Sequence, residues 1–436
     1  MNYEDFFALA YNNIVEFFVI SIFFLFFFVF TLRRFGAAGI IDPFHFIFSF
    51  VFSTSYAVII ILYINNEIEL FYLVLLTLYS ISFLFPIYFF RNRRKDLVSK
   101  YIYGFFSSIN TSHYVTRIFI LLYFIILIPL IYVKGFSLFT STNRFEDNSG
   151  IGGLARFYDI IWLFVAGSFI LYYKRILLYG GTIRKTILFF PFLAFFILNM
   201  LVIGSKSELV QYVLFYYLII SAYGYKFKLS IAKLTILGGL SLCFALIVLF
   251  FNFKMEGDGD FSNIINESFL RLSDRIMSNG DMYYLGLPHN VIEKIKTNNV
   301  LIDFFAPVLS SKLISYLAGY DVYTYDIGKQ ILLFHYPFYD IAGGPVEHFD
   351  LFGYKHFGII GGIMFSAFLG MGVVILRNLV FLSRGNVFMT IVTCSIYFKM
   401  LAVILKPSIL FAFMFDFLSV YISVGVISIL LVGKRS

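Results

Sequence analysis

Eleven stretches of this chain stay apolar for about the 20 residues that a helix needs to cross the hydrocarbon core of a bilayer. They lie near residues 14–32, 44–64, 70–90, 117–133, 157–173, 186–203, 208–224, 231–252, 357–376, 386–405 and 408–432. Backbone in hydrocarbon must satisfy its own hydrogen bonds, so runs of this length become helices. Of the 436 residues, 60% are hydrophobic and only 13% charged, too apolar a mixture to clothe a water-soluble surface. The expected fold is therefore an all-α polytopic integral membrane protein with about 11 transmembrane helices. The first run follows acidic residues in MNYEDF and lacks a basic segment before it, so it reads as an uncleaved first span rather than a signal peptide.

Orientation follows from Lys and Arg, which are enriched in cytoplasmic loops. The densest cluster is RNRRK at 91–95. Placing it inside brings 19 of the 33 Lys and Arg to that side with only 2 of the 25 acids, Asp42 and Asp96, a net of 19 − 2 = +17. The other side then carries 14 − 23 = −9, and the two add to the overall +8. The basic balance is thus accounted for by topology and gives no reason to expect nucleic acid as a partner. Eleven spans put the N-terminus outside and the C-terminus inside. Cys243 and Cys394 both fall within expected spans, with neither a disulfide framework nor metal-ligand spacing.

Most connections are short, no internal repeat is present, and one segment stands apart. Residues 1–252 read as spans 1–8 with short loops, 253–356 as a large outer-loop subdomain, and 357–436 as spans 9–11. In that loop, FSNIINESFLRLSDRIMS (261–278) sets Ile265, Phe269, Leu272 and Ile276 at helical spacing. Arg271 and Arg275, four apart, share the other face. SNGD (278–281) is expected to end this helix on a C-cap glycine, with shorter helices near 289–297, 307–318 and 326–335.

Cations on the outer side run against the positive-inside rule, and nine of them lie near the membrane surface: Lys134, Arg144, Arg156, Lys206, Arg271, Arg275, Lys355, Lys399 and Lys406. Arg suits phosphate because its planar fork binds two oxygens at once and stays charged. The Arg271/Arg275 pair is the strongest candidate, followed by Arg144 and Lys206. Each has a plainer reading: Glu267 sits four residues before Arg271 in the stabilising orientation for a helical ion pair, and GSKSE (204–208), around Lys206, is either an anion-binding turn or a tight turn only. DGD (258–260) reads as a solvated turn.

The stretch GGPVEHFDLFGYKHFGIIGG (343–362) crowds Glu347, His348, Asp350, Lys355 and His356 at the entry to an apolar run. Histidine titrates near neutrality and is the usual acceptor when a hydroxyl becomes a nucleophile. His348 is the candidate base, Asp350 could orient or compete with it, and Glu347 is the alternative base. A water-facing interfacial loop would carry the same residues. With no nucleophile elbow, P-loop, dinucleotide fingerprint or metal-ligand spacing, neither a metal nor a cofactor is expected. Cations plus a base suit displacement of a diphosphate leaving group.

The order of GSKSE after a span, RLSDRIMSNGDMYYLGLP (271–288), DIGKQILLF (326–334) and GGPVEHFDLFGYKHFGIIGG leading into a span with FSAFLG (365–370) resembles the Wzy-type O-antigen and oligosaccharide repeat-unit polymerases of Gram-negative bacteria. The likeness covers residues 200–374 and extends to the earlier spans only in topology. It implies a C-type membrane glycosyltransferase-like fold with one large periplasmic loop, in the inner membrane, with a periplasmic N-terminus and a cytoplasmic C-terminus. It also implies polymerisation of undecaprenyl-diphosphate-linked repeat units, with a lipid-linked glycan donor and acceptor, membrane lipid and a chain-length regulator protein as partners. Arg271, Arg275, Arg144 and Lys206 would then bind diphosphate and His348 would be the base. The chain departs from the family pattern in carrying Glu347, His348 and Asp350 together, which leaves the identity of the base open. The related O-antigen ligases use a similar set of outer-loop Arg and His, and a lipid-linked oligosaccharide flippase would handle the same substrate without chemistry. A membrane acyltransferase would instead show catalytic His or Arg pairs in its early spans.

The charge split makes a direct prediction. With Cys243 and Cys394 replaced, single cysteines at Ser310 and Asn92 should react with a membrane-impermeant thiol reagent in intact cells only at 310. Labelling at 92 would reverse the orientation.

Overall fold

The computed structural model describes residues 1–93, 96–107, 114–135, 152–179, 181–203, 208–225, 239, 243, 270–339 and 343–432. Every regular element among them is helical. The first half holds α1 (Tyr3–Asn12), α2 (Ile14–Leu32), α3 (Val51–Ile64, entered through a π-helical turn at His45–Phe50), α4 (Leu70–Phe89), α5 (Leu97–Ser107), α6 (Tyr114–Lys134), α7 (Gly152–Tyr179), α8 (Thr182–Ile203) and α9 (Glu208–Tyr223). Then come α10 (270–277), α11 (Asp281–Gly286), α12 (Val291–Lys294), α13 (Val300–Leu309), α14 (Ser311–Ala318), α15 (Ile327–His335), α16 (Phe349–Leu382), α17 (Val387–Met400) and α18 (Leu410–Val432).

Among the described residues, seven helical stretches are long and apolar enough to cross a membrane: Ile14–Leu32, His45–Ile64, Leu70–Phe89, Gly152–Arg175, Phe349–Leu382, Val387–Ile404 and Pro407–Val424. The chain is a polytopic membrane protein. The expected spans at 117–133, 186–203 and 208–224 coincide with α6, α8 and α9, and that at 231–252 lies outside the described residues apart from 239 and 243. Along α2, Val15, Val19, Phe23, Phe26 and Phe30 all point outward and are exposed. A stripe of that size at helical spacing is stable only against lipid.

The helices pack in two groups. One joins α2, α3, α4, α5 and α16; the other joins α6, α7, α8, α9, α17 and α18, and α16 meets α17 between them. Polar side chains fasten one end. The wholly buried Arg377 guanidinium donates to the carbonyls of Phe90 (3.0 Å), Arg91 (3.2 Å) and Arg93, closing the C-terminus of α4. The two acids expected on the basic side serve as local anchors there. Asp42 accepts from the backbone N–H of Ala38 and Phe44 and from Tyr397 Oη at 2.7 Å. Asp96 caps α5 through Ser99 N–H and accepts from Asn378 Nδ2 at 2.6 Å.

The segment between the two halves departs from expectation in its details. Residues 278–280 form a 3-10 turn that carries α10 directly into α11, so Gly280 is no left-handed C-cap: its φ is −101°. Glycine is needed there because a Cβ would stand 2.7 Å from a Val58 methyl. The helix expected at 289–297 shrinks to the four residues of α12, since His289 and Asn290 both take left-handed conformations (φ 57° and 56°). Ser310, at φ 108°, splits the one expected at 307–318 into α13 and α14. The helix expected at 326–335 is present as α15, capped by Asp326 Oδ1 on Gly328 N–H.

Helix α16 doubles back on itself. Gly358 leaves the helical region at φ 67°, ψ −167°, a conformation open to glycine. Past it, Phe365 stacks near both Phe357 (5.2 Å) and Phe352 (5.6 Å), contacts that a continuous helix could not make. The first limb, 349–357, lies against α4 with Phe349 4.7 Å from Phe83. The second limb returns along the same helix so closely that a Cβ on Gly370 would sit 2.2 Å from the Phe83 carbonyl oxygen.

Gly370→Ala should therefore overpack the α4–α16 contact and lower stability by about 1–3 kcal/mol. Gly372→Ala, where a Cβ meets nothing within 4 Å, should be silent. Thermal unfolding in detergent micelles distinguishes them, and equal melting temperatures would contradict the packing described.

Candidate functional site

Two of the sequence stretches meet backbone to backbone. A Cβ on Gly328 would lie 2.1 Å from the Pro345 carbonyl oxygen, and one on Gly344 would lie 2.9 Å from the Gly328 backbone. Only glycines allow DIGK and GGPVEH to cross this tightly. The crossing brings Asp326 and Glu347 to one cation, with Lys406 Nζ 3.3 Å from Asp326 Oδ2 and 3.3 Å from Glu347 Oε1. Lys406 lies between the 3-10 turns Leu401–Ile404 and Pro407–Ile409, and its side chain is 38% exposed.

The electrostatics of this cluster are asymmetric. Burial, then the neighbouring Asp326 charge, pushes the Glu347 carboxyl well above its ordinary range. For Asp326, burial acts upward but is outweighed by Lys406 and by hydrogen bonds, so it is held below the usual value. For Lys406, burial acts downward but the two carboxylates outweigh it and hold the ammonium above its ordinary value. The two shifts favour the carboxylate form of Asp326 beside Lys406 and the protonated form of Glu347.

His348 and Asp350 belong to a second group. Both are buried. Tyr283 Oη donates to Asp350 Oδ2 at 2.7 Å and lies 3.0 Å from His348 Nδ1. Since the tyrosine proton is committed to Asp350, His348 Nδ1 carries the hydrogen in that contact, which leaves the Nε2 lone pair as its proton-accepting position. Asp350 is joined to His348 through Tyr283 rather than by direct contact. The imidazole rests against the ring of Phe52 at 4.9 Å and is 2% exposed, so it is reached from outside only if this packing opens. A third buried pair joins His356 Nε2 on the first limb of α16 to Asp303 Oδ2 on α13, 2.9 Å apart. Asn298 Nδ2 holds the other Asp303 oxygen at 2.7 Å.

Several outer cations are engaged within the fold. Arg156 grips Asp416 through two nitrogens at 2.7 and 2.9 Å and donates to the Pro307 carbonyl. Lys355 donates to the carbonyls of Ile292 and Ile295, and Lys399 pairs with Asp159 at 3.0 Å. Arg271 and Arg275 lie exposed on α10, whose Asp274 accepts from Tyr11 Oη at 2.6 Å. Through the 278–280 turn this helix leads into α11 and Tyr283. Arg144 and Lys206 lie outside the described residues, as do DGD and most of GSKSE.

An apolar groove of about 570 Å³ runs beside these groups, between α5, α13, α16, α17 and α18. Phe304, Phe357, Phe411, Ile102 and Leu379 are among its lining, and every lining residue is apolar or glycine. Asp303 precedes Phe304, His356 precedes Phe357, and Lys406 lies between the lining residues Ile404 and Leu410.

Sequence reasoning left Tyr283, Asp303 and Asp326 out of the site and ranked Lys406 low. Asp326 and Tyr283 fall inside stretches already singled out, so their motifs were the available signal; Asp303 sits in an amphipathic helix and had none. In comparisons with known proteins, the chain matches no family model, no curated protein and no solved structure.

The Asp326–Lys406–Glu347 cluster predicts a pH response. Glu347, raised in the fold, contributes fully below its ordinary value of 4.5, and that contribution is lost as pH rises through the folded value. Asp326, depressed in the fold, contributes above its ordinary 3.8 and loses this as pH falls through the lower folded value. Glu347→Gln should therefore be nearly silent at acidic pH and flatten the alkaline decline of the melting temperature. Asp326→Asn should destabilise across neutral pH by leaving Lys406 without its carboxylate. An alkaline decline that persists unchanged in Glu347→Gln would exclude Glu347 as its source.

Proposed function

We propose that the protein is a glycosyltransferase that polymerises undecaprenyl-diphosphate-linked oligosaccharide repeat units into O-antigen or a similar surface polysaccharide. It would work at the periplasmic face of the bacterial inner membrane, with eleven spans, a periplasmic N-terminus and a large periplasmic loop over 253–356. One observation carries the reading: three of the four sequence stretches that resemble the polymerases meet one another, 326–334 crossing 343–362 at Gly328 and Gly344 and 271–288 joining it through Tyr283, and 343–362 also contributes Phe357 to the apolar groove. Buried polar clusters and an apolar groove in one protein suit a substrate whose sugar diphosphate is joined to a long hydrocarbon tail.

In this reaction an acceptor hydroxyl oxygen bonds to the anomeric carbon of the donor glycan as the bond from that carbon to the phosphate oxygen breaks. Undecaprenyl diphosphate leaves with the bonding electrons. Arg271 and Arg275, with Arg144 and Lys206, stabilise the departing charge, and His348, oriented by Tyr283 and Asp350, takes the hydroxyl proton. Glu347, in this arrangement, holds the Asp326–Lys406 cluster in place.

The lipopolysaccharide profile tests the proposal. Deletion of the gene should collapse the long ladder to lipid A-core bearing a single repeat unit, because flipping and ligation still operate. Bare core with polymer retained on the lipid carrier would identify a ligase, and bare core without it a flippase. Arg271→Ala or Arg275→Ala should abolish the ladder at normal protein levels. His348→Ala should slow transfer by about 10²–10⁴, the usual effect of removing a general base. A purified His348→Ala protein elongating lipid-linked units at the unaltered rate would remove His348 from the reaction.

A further inference from the structure

Helices α13 and α14 present their apolar side chains in the direction opposite to that of a water-soluble loop. On α13 the polar and inward groups face the bundle: Asp303 meets His356, Phe304 and Ala306 are buried, and the carbonyls of Pro307 and Val308 receive Arg156. The outward face carries Leu301, Phe305 and Leu309 at a spacing of four, all exposed. Helix α14 buries no residue at all, and its own apolar stripe, Leu313, Tyr316 and Leu317, is turned outward with Tyr316 84% and Leu317 69% exposed. Its Ser315 instead faces the chain, where Oγ accepts from Val322 N–H at 3.0 Å.

What covers this stripe is indicated by what adjoins it. Phe305 packs 5.5 Å from Phe411 at the start of α18, and the exposed face of α18 continues through Met414, Phe415, Leu418 and Ile422. That face belongs to a membrane-length helix and is therefore lipid-facing. The α13–α14 stripe extends the same surface past the end of the span. At 10 residues α13 measures about 15 Å, half the hydrocarbon thickness, so it cannot cross. Ser310 turns the chain at φ 108° between the two helices, and the exposed Lys312 follows at the turn, where its ammonium can reach headgroup phosphates.

We propose that α13 and α14 form an interfacial hairpin lying in the plane of the bilayer surface, with Leu301, Phe305, Leu309, Leu313, Tyr316 and Leu317 immersed at the boundary between headgroups and acyl chains. The occupant of this face is membrane lipid. Part of the large connecting segment is thereby a membrane-surface element, held to the bundle by Arg156 and by the Asp303–His356 pair. Because Phe304 of the same helix lines the groove, the bilayer surface supports one wall of the groove.

The full-length protein, reconstituted in phosphatidylcholine vesicles, allows a test that does not depend on activity. Trp162 is the only tryptophan, so Trp162→Phe gives a silent background. Into it go Leu313→Trp or Tyr316→Trp, both at exposed positions where folding is undisturbed, and Lys296→Trp as a water-facing control. Lipids brominated near the headgroup should quench positions 313 and 316 more than lipids brominated near the chain ends, and should leave 296 unchanged. Aqueous acrylamide should do the reverse. If 313 and 316 behave like 296, the stripe faces water and the proposal fails. If they resist both quenchers while Leu317→Cys forms a disulfide between two copies, a second molecule covers the face and the proposal also fails.

Discussion

A helix of 34 residues is about 51 Å long, while the hydrocarbon core is about 30 Å thick. Helix α16 must therefore tilt, protrude or fold back, and Gly358 makes it fold back. Much of the site depends on that turn. It places the first limb, with Asp350 and His356, between α4 and α13, and allows the preceding loop to carry Glu347 and His348 into contact with α11 and Lys406. Tyr79 Oη donates to the carbonyls of Gly358 and Ile359 at 3.2 Å, tying α4 to the start of the second limb.

Apolar run length shows where helices must lie, and so the spans from α2 through α4 and from α16 through α18 were legible without coordinates. Turn chemistry was less so. Gly280 looks like a C-cap because glycine at the end of an amphipathic run usually is one, yet it is required here by the approach of Val58, a residue more than two hundred positions away. The same limit applies to the site. Glu347, His348 and Asp350 are adjacent in sequence and read as one cluster, but the helical start at Phe349 sends them apart: Glu347 toward Lys406, His348 and Asp350 toward Tyr283. Their partners lie in segments whose proximity is a property of the tertiary fold alone.

Outer-side cations looked anomalous because the positive-inside rule treats charge as a signal to the surrounding membrane. Four of them answer instead to the interior. Arg156 and Lys399 neutralise Asp416 and Asp159, Lys406 neutralises Asp326, and Lys355 donates to two carbonyls near the end of α12. The buried Asp416 carboxylate would be expensive inside an apolar bundle without its cation. Arg271 and Arg275 differ in position, at exposed sites on a helix whose apolar residue Ile276 packs against the core.

That contrast bears on how donor and base would communicate under the proposed reaction. Arg275 and Tyr283 are separated by one short, continuous passage, α10 through the 278–280 turn into α11, and the turn is wedged against α3 by Gly280 and by Ser55 Oγ donating to the Asn279 carbonyl at 2.8 Å. A diphosphate held by α10 would therefore load an element whose next side chain but a few fixes the tautomer of His348. Burial of that imidazole by Phe52 and Tyr283 makes the same element the one that must yield for an acceptor hydroxyl to arrive. Binding of the leaving group and exposure of the base would then be coupled through packing, with water kept from His348 until both substrates are in place.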